Sequence, residues 1–335
     1  MSKQMIGRTL GASAIAMLLA VNGQSHAQDI CVFDVMGASG DSYALMKDFV
    51  VAARGTGANL NLIAYSDESK ALADFKAGKC EGAALTDFST RQYNSFTGSI
   101  NAIGAVSNNA MVKVVLGMLG NSKLDADMVM GNYEVGGVFP LGAAYLVTND
   151  REINSLSKVQ GKRFAVIESD KAQMRMVKKI GAKPVPITVP EISRKFNTRQ
   201  VDIVGAPAMA FGPFELAKGI GSTGAVIRFP VSFVTMNLIL KRDQFPTTLG
   251  PVGRRWFAAQ TGRMMDNVAR IESSIDEKYW EDLNNNDKVG YIKLMREMRI
   301  DLIQEGVYNK KMTSLLKRIR CKQDSASFEC ALNDE

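Results

Sequence analysis

The sequence predicts an α/β protein of two lobes, joined by strands that cross between them and covered by a C-terminal helical brace. Short apolar runs alternate with amphipathic helices in residues 28–86 and again in 156–211, and from residue 246 onward the chain is helical and strongly charged. Such alternation is typical of parallel sheets with helices on their faces. At 335 residues the chain is long enough for two domains, each with a sizeable core.

The second lobe has the clearer pattern. Residues 163–167 form an apolar run between a glycine and three polar residues, which predicts a buried parallel strand. A helix follows to residue 180, and the prolines in 184–187 predict a strand at the edge of the sheet, because proline has no N–H for a central ladder. A short helix at 191–197 and a buried strand at 201–205 complete a β-α-β-α-β unit.

This order of elements resembles the second lobe of the solute-binding proteins that serve tripartite ATP-independent periplasmic (TRAP) transporters. The matching stretches are VQGKRFAV at 159–166, IGAKPVPI at 180–187, EISR at 191–194 and QVDIVG at 200–205. The mature chain also resembles the AdeT-like solute-binding proteins, a group sometimes described as efflux-associated. The resemblance implies a two-lobed periplasmic-binding-protein fold, a small-molecule ligand held between the lobes, and delivery of that ligand to an inner-membrane transporter.

One position departs from the TRAP pattern. The arginine that grips the ligand in that family falls at the place of Ala165, and Arg163 lies two residues earlier on the same face of the strand. Recognition of a carboxylate in the usual way of that family is therefore not expected, and the sequence leaves the charge of the ligand open.

The first 27 residues are typical of a signal peptide. Lys3 and Arg8 supply a positive start, residues 10–21 are apolar but too few to span a bilayer, and residues 25–27 read small-x-small. We expect cleavage after Ala27 and a periplasmic location; a retained membrane anchor is the alternative.

Loss of this segment removes His26, the only histidine. Ser-His-Asp and Cys-His catalysis and histidine-ligated metals are then excluded, and neither a cofactor nor an enzymatic activity is expected. The net charge of +7 becomes +5 without Lys3 and Arg8. An excess this small, spread along the chain, does not indicate nucleic-acid binding. A monomer is expected.

The four cysteines predict two disulfides in an oxidising compartment. Of the three possible pairings we favour Cys31 with Cys80, at the starts of two strands expected to be parallel neighbours, and Cys321 with Cys330, which closes a short loop. A zinc site of four cysteines is the alternative, although the usual CxxC spacing is absent.

Seven residues are candidates for contact with the ligand, because they follow strands or lie on the crossing segments where ligands bind in α/β sheets. Arg91 could hold an anion with its planar guanidinium, and Glu168 would equally suit an amine. Asn237 is either a two-way hydrogen-bonding residue of the cleft or a satisfied buried amide. The full set is Ser39, Tyr65, Thr86, Arg91, Glu168, Phe211 and Asn237.

The segments are assigned as follows. Residues 1–27 are the signal peptide, residues 28–142 with 240–335 are lobe I and the C-terminal helices, and residues 143–239 are lobe II. A single core helix is expected in the apolar run 100–120, and the glycine-rich GASGDS at 37–42 predicts a tight strand-to-helix turn in preference to an anion cradle.

The leading function is a periplasmic solute-binding protein. The alternative is a periplasmic accessory of a drug-efflux system that acts through protein contacts, which would need a large exposed apolar patch or a long helical hairpin.

Overall fold

The structure, a computed structural model, describes residues 27–335. The predicted signal peptide lies outside the described residues except for Ala27. The strands are β1 Gln28–Phe33, β2 Leu60–Tyr65, β3 Gly82–Thr86, β4 Val129–Met130, β5 Tyr133–Thr148, β6 Arg163–Ile167, β7 Lys183–Ile187, β8 Ile203–Pro207, β9 Ala225–Lys241 and β10 Trp280–Glu281. The helices are α1 Asp41–Ala53, α2 Glu68–Lys76, α3 Asp87–Thr90, α4 Asn109–Met118, α5 Leu156–Val159, α6 Lys171–Lys179, α7 Glu191–Asn197, α8 Leu216–Ile220, α9 Leu249–Ser273, α10 Asn285–Gln304 and α11 Lys310–Gln323.

A twisted sheet runs through both lobes in the order β2-β1-β3-β9-β5-β8-β6-β7. β1, β2 and β3 are parallel to one another at one end, and β6, β7 and β8 are parallel at the other. Between these groups β9 and β5 pair antiparallel with each other and with their neighbours. β7 lies at the edge, as its prolines predicted.

The two long strands cross between the lobes. Residues 236–240 of β9 pair with β3, whereas residues 225–227 pair with the part of β5 that lies beside β8. The β5–β9 register shifts three times, and one shift falls between Pro140 and Gly142, whose φ of +114° disfavours any side chain. The strands are therefore irregular at the point where they change lobes.

Helix α9 is the main element of the brace. Leu249, Phe257, Thr261, Met265 and Val268 recur at helical spacing on its buried face. The helix packs along β5, and it also contacts α1 and α4 in lobe I and the 208–210 turn of lobe II. This single helix therefore covers both lobes.

Close approach of α9 to β5 depends on glycine. A Cβ at Gly137 of β5 would lie 1.9 Å from Cδ2 of Phe257, and one at Gly253 of α9 would lie 2.3 Å from the carbonyl oxygen of Gly136. Neither contact is possible between non-bonded atoms, so the backbones can meet only because both positions lack side chains.

The C-terminal segment is tied down by buried charges. Arg299 of α10 is 1% exposed and donates to the carbonyl oxygen of Ile103 (2.9 Å) and to Glu329 (2.6 Å). Glu329 also accepts from Arg320 of α11 (3.1 Å), and both arginines contact the carboxylate of Glu335. Each buried charge is thus paired with an opposite one, as burial requires.

Most local predictions are confirmed, and one is wrong. The strand at 163–167 and the helix at 191–197 have the predicted bounds, and both disulfides, Cys31–Cys80 and Cys321–Cys330, are present. The expected single helix over 100–120 is wrong, because only α4 is helical there: Gly104 has a φ of +61°, and the Asn108 side chain caps a new helix start by accepting from the N–H of Met111 (2.8 Å).

Candidate ligand-binding cleft

A space of about 460 Å³ lies between the two lobes, at the carboxyl ends of β1 and β8. This volume is within the range of small-molecule sites. The end of β1 and the turn before α1 form the wall from lobe I. The end of β8 and the turn after it form the wall from lobe II, and the last turn of α9 also lines the space. We call this space the interlobe cleft. Its lining comprises residues 33–36, 39–42 and 207–213 together with Leu141, Met236, Ile271, Ser274 and Ile275.

The wall from lobe I is shaped by Asp34, which is buried. Its Oδ1 accepts from the N–H of Met36 (2.9 Å), and its Oδ2 accepts from the N–H groups of Ser42 (2.9 Å) and Tyr43 (3.3 Å) at the start of α1. A Cβ at Gly40 would lie 1.8 Å from Asp34 Oδ1, so this turn requires glycine there. The geometry confirms a tight strand-to-helix turn: the amides at the helix start bind the protein's own carboxylate.

The residues at and after the end of β8 form the wall of the cleft from lobe II. Pro207 ends the strand, residues 208–210 form a 3₁₀ turn, and the ring of Phe211 lies against Tyr279 with centroids 5.7 Å apart. Met209 lines both the cleft and an adjoining space of about 270 Å³ between α1 and α9. The cleft therefore continues along the face where α9 meets lobe I.

Beside the cleft, Arg91 joins the lobes. The side chain is 12% exposed, and its Nη1 donates to Oδ1 of Asp170 across the lobe boundary (3.3 Å). Nη2 donates to Oδ1 of Asn101 (2.6 Å), Nε donates to the carbonyl oxygen of Gly98 (2.8 Å), and the guanidinium lies 5.2 Å from the ring centre of Tyr308. Arg91 is thus mostly buried, and its guanidinium is bonded to Gly98, Asn101 and Asp170.

Asp87 lies behind this pair and is fully buried. It accepts from Nδ2 of Asn101 (2.9 Å) and from the N–H (2.9 Å) and hydroxyl (3.0 Å) of Thr235. Burial raises the pKa of Asp87 to about 7, against the opposing hydrogen bonds of Thr235 and the positive charge of Arg91. A polar chain from Thr235 through Asp87, Asn101 and Arg91 therefore ends at Asp170 in lobe II.

The lobes also touch through apolar side chains next to Arg91. The space left there is only about 70 Å³, room for about two water molecules, and it is bordered by Phe88 and Ile103 on one side and by Phe164 and Met176 on the other. The lobes are therefore in packed contact at this point.

Two of the seven candidate residues lie on the interlobe cleft. Ser39 is exposed in the turn before α1, and Phe211 is partly buried in the turn after β8. The structure therefore brings together one residue from each lobe, although 172 positions separate them in sequence.

Three candidates are engaged elsewhere. The Tyr65 hydroxyl donates to Asp74 of α2 (2.8 Å), and the buried Thr86 hydroxyl donates to Glu68 (2.7 Å). Asn237 is fully buried and donates to Oγ1 of Thr90 (2.6 Å); within residues 27–335 its Oδ1 has no hydrogen-bond partner. None of the three lines the interlobe cleft, because each faces a neighbouring element of lobe I.

Glu168 lies on a separate groove. It is exposed, and it lines a space of about 210 Å³ between α2 and the ends of β6 and β7. Nearby, Ala165 is buried, and Arg163 donates to Asp202 (2.6 Å between Nη2 and Oδ1) at the surface. Arg163 therefore does not take the place of the arginine that the TRAP pattern has at residue 165, because its side chain is bonded to Asp202.

Sequence reasoning missed several residues of the cleft. Asp34 and Met36 could have been found, because the rule that ligands bind at the carboxyl ends of parallel strands applies to β1 as well as to β3. Met209 follows β8 in the same way. Ile271 and Ser274 carry no such signal, since only the packing of α9 brings its last turn to the cleft.

Among residues 27–335, no group of three or more His, Cys, Asp or Glu side chains is arranged to hold a metal ion. A search of the same residues finds no helix with the length and apolar character needed to cross a membrane.

Two lobes, crossing strands and a cleft at the strand ends define a two-lobed binding protein of the periplasmic solute-binding type. Residues 46–335 match the family described as solute-binding protein AdeT 1/2. The chain is 43% identical over 304 residues to the probable solute-binding protein AdeT1 of Acinetobacter baumannii, an alignment that covers 91% of this chain and all of that protein. The chain therefore belongs to the AdeT 1/2 solute-binding protein family.

Solved structures of TRAP periplasmic solute-binding proteins share the fold. One from Haemophilus influenzae, with bound L-gulonate, has a TM-score of 0.71 at 11% identity, and one from Desulfovibrio salexigens, with bound orotic acid, has 0.70 at 10% identity. Each of the two alignments covers 88% of this chain and 99% of the solved chain. The resemblance to the TRAP fold is thereby confirmed.

The efflux-accessory alternative is not favoured. Large apolar side chains that are exposed in residues 27–335 lie on separate elements, for example Val51 on α1, Val114 on α4 and Val289 on α10. The longest helix, α9, lies along β5 and is not an extended hairpin.

Proposed function

We propose that this protein captures a small molecule in the interlobe cleft in the periplasm and delivers it, as a monomer, to a TRAP-like transporter of the inner membrane. The observation that carries the proposal is the cleft itself: about 460 Å³, lined by the ends of strands from both lobes and mostly by apolar side chains. Family membership supports the same role. The carriage of a ligand to a transporter, without chemical change, also accords with the lack of histidine in the mature chain.

The crossing strands supply the means of closure. β5 and β9 both run from one lobe into the other, and one of their register shifts, between Pro140 and Gly142, falls where they cross. Rotation about a few residues in such segments is the usual hinge motion of two-lobed binding proteins. We propose lobe boundaries near residues 142 and 234; the predicted boundary at 239 lies within the pairing of β9 with β3.

Native mass spectrometry of protein purified from the periplasm tests capture directly. We expect a non-covalent small molecule at one copy per chain, and a lower melting temperature after that molecule is stripped by unfolding and refolding, because a ligand of the native state stabilises it. At a ligand concentration of about 100 times Kd the stabilisation is about 2.7 kcal/mol.

Met209→Trp provides the test of the site, because the larger side chain narrows the cleft where a ligand would lie against lobe II. Met130→Trp is the matched control, on β4 at a partly exposed position outside the cleft lining. We expect loss of the bound molecule in the first variant and retention in the second. Retention in both, with unchanged stoichiometry, would show that the ligand binds elsewhere.

A further inference from the structure

We propose that the interlobe cleft selects a small apolar cation, such as an amine with an aromatic or aliphatic group, and not a carboxylate. This inference rests on the proposed function, since it names the ligand class of the same site. Four features of the cleft support it: an occupied helix start, the negative end of a helix dipole, an aspartate without an ion pair, and a lining of aromatic and methionine side chains.

The start of α1 is the natural place for an anionic ligand. Helix N-termini bind anions because their first N–H groups lack partners and the helix dipole is positive there. In this protein the N–H groups of Ser42 and Tyr43 already donate to Asp34, and that of Ala44 donates to the carbonyl oxygen of Gly40. An internal carboxylate therefore occupies the position that an acidic ligand would need.

The end of α9 has the opposite polarity. Its last turn contributes Ile271, and the residues just after it, Ser274 and Ile275, also line the cleft. The C-terminus of a 25-residue helix lies at the negative end of the helix dipole, which favours cations. Its carbonyl oxygens at Arg270 and Ile271 accept from the neutral hydroxyls of Ser273 (2.9 Å) and Ser274 (2.6 Å), so the preference comes from the dipole and not from free acceptors. Arg270, the basic residue of that turn, is exposed and donates to Asn267, outside the cleft lining.

The charged side chains of the cleft are both acidic. Asp34 and Asp41 line it, and among the described residues no lysine or arginine does. Asp41 accepts from the neutral Asn267 (3.1 Å) and forms no ion pair among the described residues, although Arg263 lines the adjoining space together with it. Asp48, on the same helix, differs because it pairs with Arg263 (3.0 Å). An anion in the cleft would be repelled by Asp41, whereas an ammonium group would be attracted to it; the charge of Asp34 is balanced by the three N–H groups that it accepts from.

The remaining lining suits the apolar part of such a ligand. Phe33 and Phe211 present aromatic rings, which attract cations through their negative faces. Met36, Met209 and Met236 add flexible, polarisable side chains that adapt to differently shaped apolar groups. The cleft therefore combines an electronegative environment with adaptable apolar walls.

Two positions at which an arginine could have bound an acidic ligand do not offer a free guanidinium. Ala165 stands where the TRAP pattern has its arginine, and Arg91 is committed to Asp170, Asn101 and Gly98. The structural neighbours with orotic acid and L-gulonate hold acids. We infer that this chain keeps their fold and changes the charge preference.

The test is calorimetry at neutral pH on stripped protein, with matched series of amine, alcohol and carboxylate on the same scaffold: 2-phenylethylamine, 2-phenylethanol and 3-phenylpropanoate, then the corresponding cyclohexyl and linear compounds. We expect the amine of a series to bind more tightly than its carboxylate. Asp41→Asn should weaken amine binding by about tenfold or more, the size expected for loss of one charged hydrogen-bonding partner.

Asp266→Asn is the control, because it removes an exposed carboxylate that pairs with Lys113 (3.2 Å) and lines neither the cleft nor the adjoining space. It should leave amine binding unchanged. Ser39→Lys places a cation at an exposed position of the cleft, so it should abolish amine binding and increase carboxylate binding. Melting temperatures without ligand establish that the variants are folded.

The outcomes separate this inference from the proposed function. Tighter binding of carboxylates, reduced by Met209→Trp, would overturn the cation preference while capture in the cleft stands. Amine binding that is unaffected by both Asp41→Asn and Ser39→Lys would also overturn it. If no compound binds, the molecule released from the purified protein decides: an anion or a neutral compound refutes the inference, and absence of any molecule refutes capture as well.

Discussion

The Arg91–Asp170 pair allows a quantitative test of how the lobes are held together. Asp170→Asn keeps the size of the side chain and the oxygen that accepts from the N–H of Ala172 at the start of α6 (3.0 Å), and removes only the charge. Both partners are buried, with side-chain exposures of 12% and 6%. The substitution therefore leaves the guanidinium of Arg91 with an uncompensated charge at the lobe boundary.

The expected loss can be bounded from the geometry. Two unit charges at this separation attract by about 4–5 kcal/mol at an effective dielectric constant of 20. Removal of one partner of a buried pair costs about 3–5 kcal/mol. Arg91 keeps its bonds to Gly98 and Asn101, and the carboxylate of Asp87 lies behind Asn101. We therefore expect a loss of about 2–3 kcal/mol in the free energy of unfolding.

Urea unfolding measures this loss, and small-angle X-ray scattering measures the accompanying change of shape. If the lobes open to hydrate Arg91, the radius of gyration of the ligand-free protein should rise. Asp266→Asn is the control, because its pair with Lys113 is exposed and worth about 0–1 kcal/mol. The reasoning would be refuted if Asp170→Asn matched this control in stability and left the scattering unchanged.

Three further predictions concern the buried groups. In the folded protein Asp87 binds a proton below about pH 7, whereas in the unfolded chain it does so only below about pH 4. Its contribution to the free energy of unfolding therefore falls as pH rises from 4 to 7. In urea unfolding, the stability difference between wild type and Asp87→Asn should change by about 2 kcal/mol from pH 5 to 7. Glu329→Gln should cost about 3–5 kcal/mol in the same assay, because Arg299 and Arg320 would each lose one of their two buried acidic partners. Gly137→Ala should cost about 1–3 kcal/mol, because the new methyl group overlaps Phe257.

Each of these three predictions can be contradicted by one result of the urea-unfolding assay. A stability difference for Asp87→Asn that does not vary between pH 5 and 7 would contradict the raised pKa. A cost below about 1 kcal/mol for Glu329→Gln would mean that Glu335 alone satisfies the arginines. Gly262→Ala, on α9 with no atom within 4 Å of the new Cβ, is the control for Gly137→Ala and should stabilise by up to about 1 kcal/mol.

Local features of the fold could be predicted because their causes lie within a few residues. The apolar run of β6 and the prolines of β7 identified both strands, and α7 has the predicted bounds. The predicted single helix at residues 100–120 is wrong because Gly104 and the Asn108 cap interrupt a helix, although the apolar spacing continues through them. The ends of the strands were also predictable, and the residues that follow them include Ser39 and Phe211, the two candidates that line the interlobe cleft.

The sequence by itself determined the alternation of strands and helices, the crossing segments and the resemblance to solute-binding proteins, since these depend on local pattern and order. It favoured the observed cysteine pairs among three possible pairings, and the structure decided between them. Only the tertiary structure decided which polar groups remain available to a ligand. Arg91 is paired with a residue 79 positions away, and the amides at the start of α1 are bound by Asp34. A side chain can serve a ligand only if the fold has not already satisfied it, and that depends on contacts between distant parts of the chain.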